Sequence, residues 1–208
     1  MTPILWSFRR CPYAIRARLA LAVSGQQVEL REVLLRDKAE EFLQTSPSAT
    51  IPCLKTEDQV IDESLDIMLW ALRRHDPEGW LDMPSEGMDL ITLFDGPFKA
   101  ALDRYKYHTR FVDADAMTER DTASAILRDL NARQENGAIF DQPRLADFAI
   151  LPFVRQFAFT DKPWFDAQDW PHLAAWLEAF LTSDRFAQVM PKYAFWSPGD
   201  TSVIFPAT

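Results

Sequence analysis

Apolar and polar residues change their spacing several times along this chain, and each change marks an element. Residues 4–8 (Ile4, Leu5, Trp6, Ser7, Phe8) form a short β-like run. Beyond it Ile15, Leu19 and Val23 recur at four-residue steps with Arg16 and Arg18 between them, which predicts a helix with one core face, closed by Gly25. Residues 27–33 then alternate, with Val28, Leu30 and Val33 apolar, as a second strand does. Asp37 stands where it would cap a helix over 38–45 whose apolar side carries Phe42. Ser46-Pro47-Ser48-Ala49-Thr50 is turn chemistry. A strand over 51–55 has Pro52 near its start, where a missing N–H is tolerated. Glu57-Asp58 makes a hairpin turn into a fourth strand at Val60-Ile61. Asp62-Glu63-Ser64 opens a helix that runs through Ile67, Leu69, Trp70 and Leu72 to about His75.

The order so far is βαβ followed by ββα. A crossover helix makes the first two strands parallel, and a tight turn makes the last two antiparallel. That is a thioredoxin-like layout over residues 1–78. Asp76-Pro77-Glu78-Gly79 and Pro84 mark a linker, and from Gly87 onward no convincing strand is read. Helical patterns cover about 87–108, 115–135, 144–159, 171–181 and 184–190, with a bend expected at Gly96-Pro97. An all-α domain over residues 86–208 is therefore predicted.

Charge follows the same division. Of the 22 Lys/Arg and 31 Asp/Glu, residues 1–75 hold ten of each, so the net −9 falls entirely on the rest of the chain. An acidic chain lacks the clustered cations that phosphate backbones require, which argues against nucleic acid as a partner. The 208 residues include 48% hydrophobic and 25% charged residues, an ordinary globular composition with ample length for a core. The N-terminus shows no signal-peptide pattern, and the longest apolar stretch, residues 148–154, is too short to span a bilayer and contains Pro152. Two cysteines make no disulfide framework, and His75, His108 and His172 are too scattered for a metal site. A cytoplasmic, reduced protein without metal or membrane contact is expected.

Candidate chemistry gathers at Phe8-Arg9-Arg10-Cys11-Pro12-Tyr13. Proline suits the first turn of a helix, which puts the Cys11 thiol against unpaired N–H groups where negative charge is favoured. With arginines nearby, a thiol there is a candidate nucleophile. A small buried hydrophobe fits the same residue as well. Cys53 reads as a structural thiol in the core.

Four segments together resemble the soluble glutathione transferase family, in its bacterial cysteine-containing branch: Cys11-Pro12-Tyr13-Ala14, Thr50-Ile51-Pro52-Cys53-Leu54, Asp62-Glu63-Ser64-Leu65-Asp66-Ile67 and Leu145-Ala146-Asp147-Phe148-Ala149. Each is weak alone; their order and spacing cover essentially the whole chain. The resemblance implies a thioredoxin-like domain followed by a helical one, glutathione as co-substrate, a small electrophilic or disulfide second substrate, and a homodimer. It implies that Pro52 is cis and turns the backbone of Ile51 toward the cysteinyl unit of glutathione, as an added strand. Ser64 would hold the γ-glutamyl carboxylate, Glu63 would face the γ-glutamyl amine, and Lys38 the glycine carboxylate. As residues alone, Ser64 fits a helix cap and Lys38 a solvated charge equally well. The second-substrate pocket is implied beside the 8–10 loop, with Arg104 or Tyr107 as lining and the aromatic tail Tyr193-Ala194-Phe195-Trp196 either covering the site or sealing the core.

Two departures from the family pattern carry information. Arg144 stands where Ser or Thr would cap a core helix, so only Asp147 can complete its half of the capping box. Ala14 replaces the second thiol of a Cys-x-x-Cys motif, which argues against dithiol cycling, while a monothiol can still form and resolve a mixed disulfide with glutathione. The leading function is a glutathione-dependent thiol transferase or reductase in which Cys11 attacks glutathione mixed disulfides or adducts. Two others fit the same residues: a conjugating or isomerising transferase in which Cys11 only hydrogen-bonds the glutathione thiolate, and a non-catalytic protein-binding adaptor.

Overall fold

The computed structural model describes residues 1–134 and 136–207, and they divide into two compact units, Met1–Gly79 with Ser183–Thr208, and Trp80–Thr182. The first unit is built on a five-stranded sheet of order β4 (Val60–Ile61), β3 (Cys53–Lys55), β1 (Ile4–Ser7), β2 (Val28–Glu32) and β5 (Val203–Phe205). Strand β1 (Ile4–Ser7) leads through helix α1 (Pro12–Ser24) to β2 (Val28–Glu32), which pairs with β1 in parallel. After α2 (Glu40–Thr45), β3 (Cys53–Lys55) pairs antiparallel with β1 and β4 (Val60–Ile61) antiparallel with β3; α3 (Ser64–Leu72) follows. The βαβ-ββα order expected from the hydrophobic pattern is thus the one observed. Helix α1 stops at Gly25, whose left-handed φ of 67° needs no Cβ.

Three features differ from the pattern's prediction. Helix α1 was read with one core face, yet Arg16 and Arg18 are as buried as their apolar neighbours, because α1 packs against α3 on one side and α10 (Asp184–Val189) on another. Asp37 does not cap α2: its N–H closes a turn onto the Leu34 carbonyl, and the helix begins at Glu40 behind Ala39. The stretch after residue 183 is not part of a helical domain that runs to the C-terminus. It returns to the first unit, where β5 (Val203–Phe205) pairs antiparallel with β2. An open β2 edge would expose unpaired N–H and C=O groups, and β5 covers it while burying Phe205. Of the aromatic tail, Trp196 packs on the core of this unit, meeting Trp6 edge-on at 5.1 Å while its backbone N–H donates to the Glu32 carbonyl at 2.8 Å, whereas Phe195 is exposed.

The second unit is helical. Helix α4 (Glu86–Leu93) passes through a π-helical turn at Phe94–Phe98 into α5 (Lys99–Lys106). The irregularity falls at Gly96-Pro97 as expected, and takes the form of a widened turn that accommodates the missing proline N–H. Helix α6 (Ala116–Arg133) is capped by Asp115, which accepts the Thr118 N–H at 2.7 Å; Glu135, the end of the predicted helix, lies outside the described residues. Then come α7 (Leu145–Ala158), the short α8 (Lys162–Asp166), which the hydrophobic pattern did not reveal, and α9 (Pro171–Leu181). Asp147 completes its half of the α7 capping box by accepting the Arg144 N–H at 2.9 Å, and also accepts from Ile139 N–H at 3.0 Å and Trp176 Nε1 at 3.1 Å. No described helix is long and apolar enough to cross a membrane.

Candidate active site

Cys11 is the N-cap residue of α1, in extended conformation with Pro12 as the first helical residue. Its N–H closes a turn onto the Phe8 carbonyl at 3.0 Å, and its carbonyl accepts the Ile15 N–H at 2.9 Å. The thiol is partly exposed, and Sγ lies 3.6 Å from the Ile51 carbonyl oxygen, to which it donates. The Ile51-Pro52 peptide is cis. The cis-proline loop and the thiol therefore meet directly.

Lys38 is half-buried, and its Nζ donates to the Ala49 carbonyl at 3.0 Å, two residues before Ile51. Glu63 is exposed at the N-cap of α3 and lines a groove of about 490 Å³ with Asp66, Trp70 and Arg73. Ser64 is the first helical residue rather than the cap. It is buried, and its hydroxyl accepts from Arg16 Nε at 3.0 Å. Cys53 turns into the core among Trp6, Val33 and Phe42, and burial there pushes its thiol far above the ordinary range. Among the described residues, no group of three or more His, Cys, Asp or Glu side chains is placed to hold a metal ion.

Several residues that organise the site were not singled out from the sequence. Asp62 ties the 46–50 loop to the start of α3: it accepts from Ser46 Oγ at 2.8 Å and from Ser48 N–H at 2.9 Å. Burial alone would raise its carboxyl, but the hydrogen bonds from Ser48, Cys53 and Ser46 hold it below the usual carboxylate range. One guanidinium whose charge bears on Cys11 is Arg18; burial lowers it to about 10, opposed by Glu32, Cys11 and Tyr193. Two arginines inside an otherwise apolar helix were the available signal for Arg16 and Arg18, since charges are rarely buried without a partner.

In the second unit, Arg104 of the α5 end is paired with Glu119 and Asp113. Tyr105 is a packing residue, buried with its ring 5.7 Å from Phe157, while Tyr107 is partly exposed with the Arg110 guanidinium 4.4 Å from its ring.

Comparison with known proteins adds to this geometry. Residues 5–79 match the glutathione S-transferase N-terminal domain model and residues 99–179 the glutathione S-transferase C-terminal domain model. The chain is 24% identical over 190 residues to glutathione S-transferase aclG of Aspergillus oryzae, covering 82% of this chain and 86% of that protein. It is 25% identical over 201 residues to glutathione S-transferase L3 of Arabidopsis thaliana, covering 90% and 81%. Among solved structures, a glutathione transferase family member from Pseudomonas fluorescens with two glutathione bound superposes with a TM-score of 0.78 at 16% identity, covering 91% of this chain and 92% of that one. Glutathione transferase Omega 3C from Trametes versicolor gives 0.76 at 17% identity, covering 91% and 84%. Two domain models in tandem, relatives matched along most of their length and the same two-unit architecture agree: the chain belongs to the glutathione S-transferase family.

Proposed function

We propose that the protein is a glutathione-dependent thiol transferase or reductase of the cysteine-containing branch, with Cys11 as the attacking thiol. The observation that carries this reading is the Cys11 thiol at the start of α1, 3.6 Å from the carbonyl of Ile51 beside cis Pro52. Glutathione lies along Ile51, its cysteinyl N–H and C=O pairing with the Ile51 C=O and N–H as an added strand. The peptide N–H then takes the acceptor that the Cys11 thiol uses in the unliganded protein. A thiol that loses a hydrogen bond to its neutral form, at a helix start and near a guanidinium, shifts toward the thiolate.

The other residues take roles their contacts support. The Ser64 oxygen accepts from Arg16, which leaves its own O–H as the donor for the γ-glutamyl carboxylate. Glu63, exposed at the entry to α3, faces the γ-glutamyl amine. The Lys38 ammonium holds Ala49 with one N–H and has two further donors for the glycine carboxylate.

The chemistry runs in two displacements. The Cys11 thiolate attacks the glutathione sulfur of a mixed disulfide; a bond forms between Cys11 and glutathione, and the substrate leaves as a thiolate that takes up a proton. A second glutathione thiolate then attacks the glutathionyl sulfur, releasing oxidised glutathione and restoring Cys11. Ala14 leaves no neighbouring thiol to compete in the second step.

The Cys11 thiol acting as a hydrogen-bond donor favours a second reading, in which it remains protonated and donates to the thiolate of bound glutathione during conjugation. Cys11→Ser separates the two. Thiol transfer from a glutathione mixed disulfide should vanish, at least a hundredfold below wild type, because a hydroxyl cannot form the intermediate. Retained thiol transfer in that variant would overturn the nucleophilic role, and conjugation that survives alongside lost thiol transfer upholds it.

A further inference from the structure

The turn that carries Cys11 is held from beneath by a buried cation and a buried anion. Residues 8–11 close through the Cys11 N–H on the Phe8 carbonyl, and Arg9 lies inside that turn. Glu32, the last residue of β2, accepts the Arg9 N–H through Oε1 at 2.6 Å, while Arg18 Nη2 donates to the Arg9 carbonyl at 2.8 Å. Both backbone groups of one residue, two positions before the thiol, are therefore fixed by charge-assisted hydrogen bonds, the stronger kind.

Arg18 also anchors its surroundings. Its Nη1 donates to Ser7 Oγ at 2.5 Å at the end of β1, and its Nε donates to the Val189 carbonyl at 2.9 Å at the end of α10. The three nitrogens of one guanidinium thus join β1, the thiol-bearing turn and the returning C-terminal segment. Arg18 is 1% exposed and Glu32 is 4% exposed. Glu32 Oε2 is buried without a hydrogen-bond partner among the described residues. Well-packed apolar side chains often hold such a place at no loss of stability, so buried charges here are better explained by what they orient.

We propose that Arg18 and Glu32 are positioning residues for the Cys11 thiol: they clamp the Arg9 backbone and hold the sulfur at the start of α1 against Ile51. This rests on the reading of Cys11 as the reactive thiol. The charged and titratable groups facing the pair are Arg9 from the turn, Cys11 from the helix start and Tyr193 from the segment after α10. Glu32 acts on the thiol through the Arg9 peptide, whereas Arg18 acts through the peptide and through its charge.

The test follows Cys11 alkylation by iodoacetamide in the full chain between pH 5 and 9.5, read by mass spectrometry of the Cys11 peptide, in wild type, Glu32→Ala, Glu32→Gln and Arg18→Lys. Removal of the Glu32 negative charge alone would lower the thiol pKa, and equally in both Glu32 variants. Positioning predicts a different pattern. Glu32→Ala loses the acceptor for Arg9 and should raise the apparent pKa by about one unit, about tenfold in thiolate at a pH well below it. Glu32→Gln keeps an oxygen for the Arg9 N–H and should restore the profile to within about threefold. Arg18→Lys keeps the charge but not the fork, and should shift the profile as Glu32→Ala does. If Glu32→Ala does not fold, the contrast between Arg18→Lys and Glu32→Gln decides the matter alone. Profiles of Arg18→Lys and Glu32→Ala that superpose on wild type, even with lowered melting temperatures, would show a purely structural pair and overturn the proposal. A wild-type thiol titrating near the ~8.5 of free cysteine would instead overturn the nucleophile reading itself, and this proposal with it.

Discussion

Removing the Asp147 carboxylate should be among the most damaging single changes in the helical unit. Asp147 is fully buried, and its two oxygens accept from Arg144 N–H, Ile139 N–H and Trp176 Nε1 at 2.9–3.1 Å. Asp147→Ala leaves three buried donors without an acceptor, each costing about 1–3 kcal/mol. Part of that is offset, because burial pushes the Asp147 carboxyl above the usual carboxylate range against the pull of those same donors, so desolvation of the charge is relieved as well. A net loss of about 3–5 kcal/mol follows, comparable to breaking a buried charged network. For a chain of this size that lowers Tm by about 6–20 °C. Asp147→Asn keeps Oδ1 for Ile139 and Trp176 but turns an NH₂ toward the Arg144 N–H, and should lose about 1–3 kcal/mol. Urea unfolding followed by far-UV circular dichroism and by tryptophan fluorescence measures both variants, and Cys11 alkylation serves as a control that should not change. A loss under about 1 kcal/mol for Asp147→Ala would refute the view that this carboxylate holds the start of α7.

Two further outcomes follow from the first unit. Burial raises the Cys53 thiol, so alkylation of the native protein at pH 7–9 should label Cys11 alone, with a second label appearing only on unfolding; two labels on the folded chain would contradict the placement of Cys53. Asp62 is held below its ordinary carboxylate value, so the stability it contributes is present above about pH 3.9 and is lost as pH falls through its folded-state value. Asp62→Asn should therefore be clearly less stable than wild type at pH 7, with the difference closing in acid; a constant difference across that range would argue against the Ser46–Ser48–Asp62 network.

The parts of the fold that were legible in the sequence rest on local signals. Period-four spacing in α1, alternation in β2, Pro12 at a helix start and Gly25 past its end all act within a few residues, and each element stands where its signal put it. The contact between Cys11 and Ile51 was legible only through the resemblance, because it joins two loops distant in sequence. What escaped was decided by tertiary packing. Arg16 and Arg18 looked like the polar side of α1, and only the packing of α3 and α10 on that helix buries them. Strand β5 is three residues long, and its pairing depends on the open edge of β2, which no pattern in the tail announces. Asp37 has the side chain of a cap, but its own N–H closes an earlier turn and moves the helix start to Glu40. The Glu63-Ser64 pair was visible as residues, whereas the hydrogen bond of Arg16 to Ser64 was not, since nothing local links the two.

The most direct test of the central claim is the mass of the intact protein after incubation with oxidised glutathione. If Cys11 is the attacking thiol, the wild type should gain a single glutathionyl group on Cys11, removable by reduced glutathione, while Cys11→Ala gains none. An unmodified wild type, or an adduct that persists in Cys11→Ala, would contradict it.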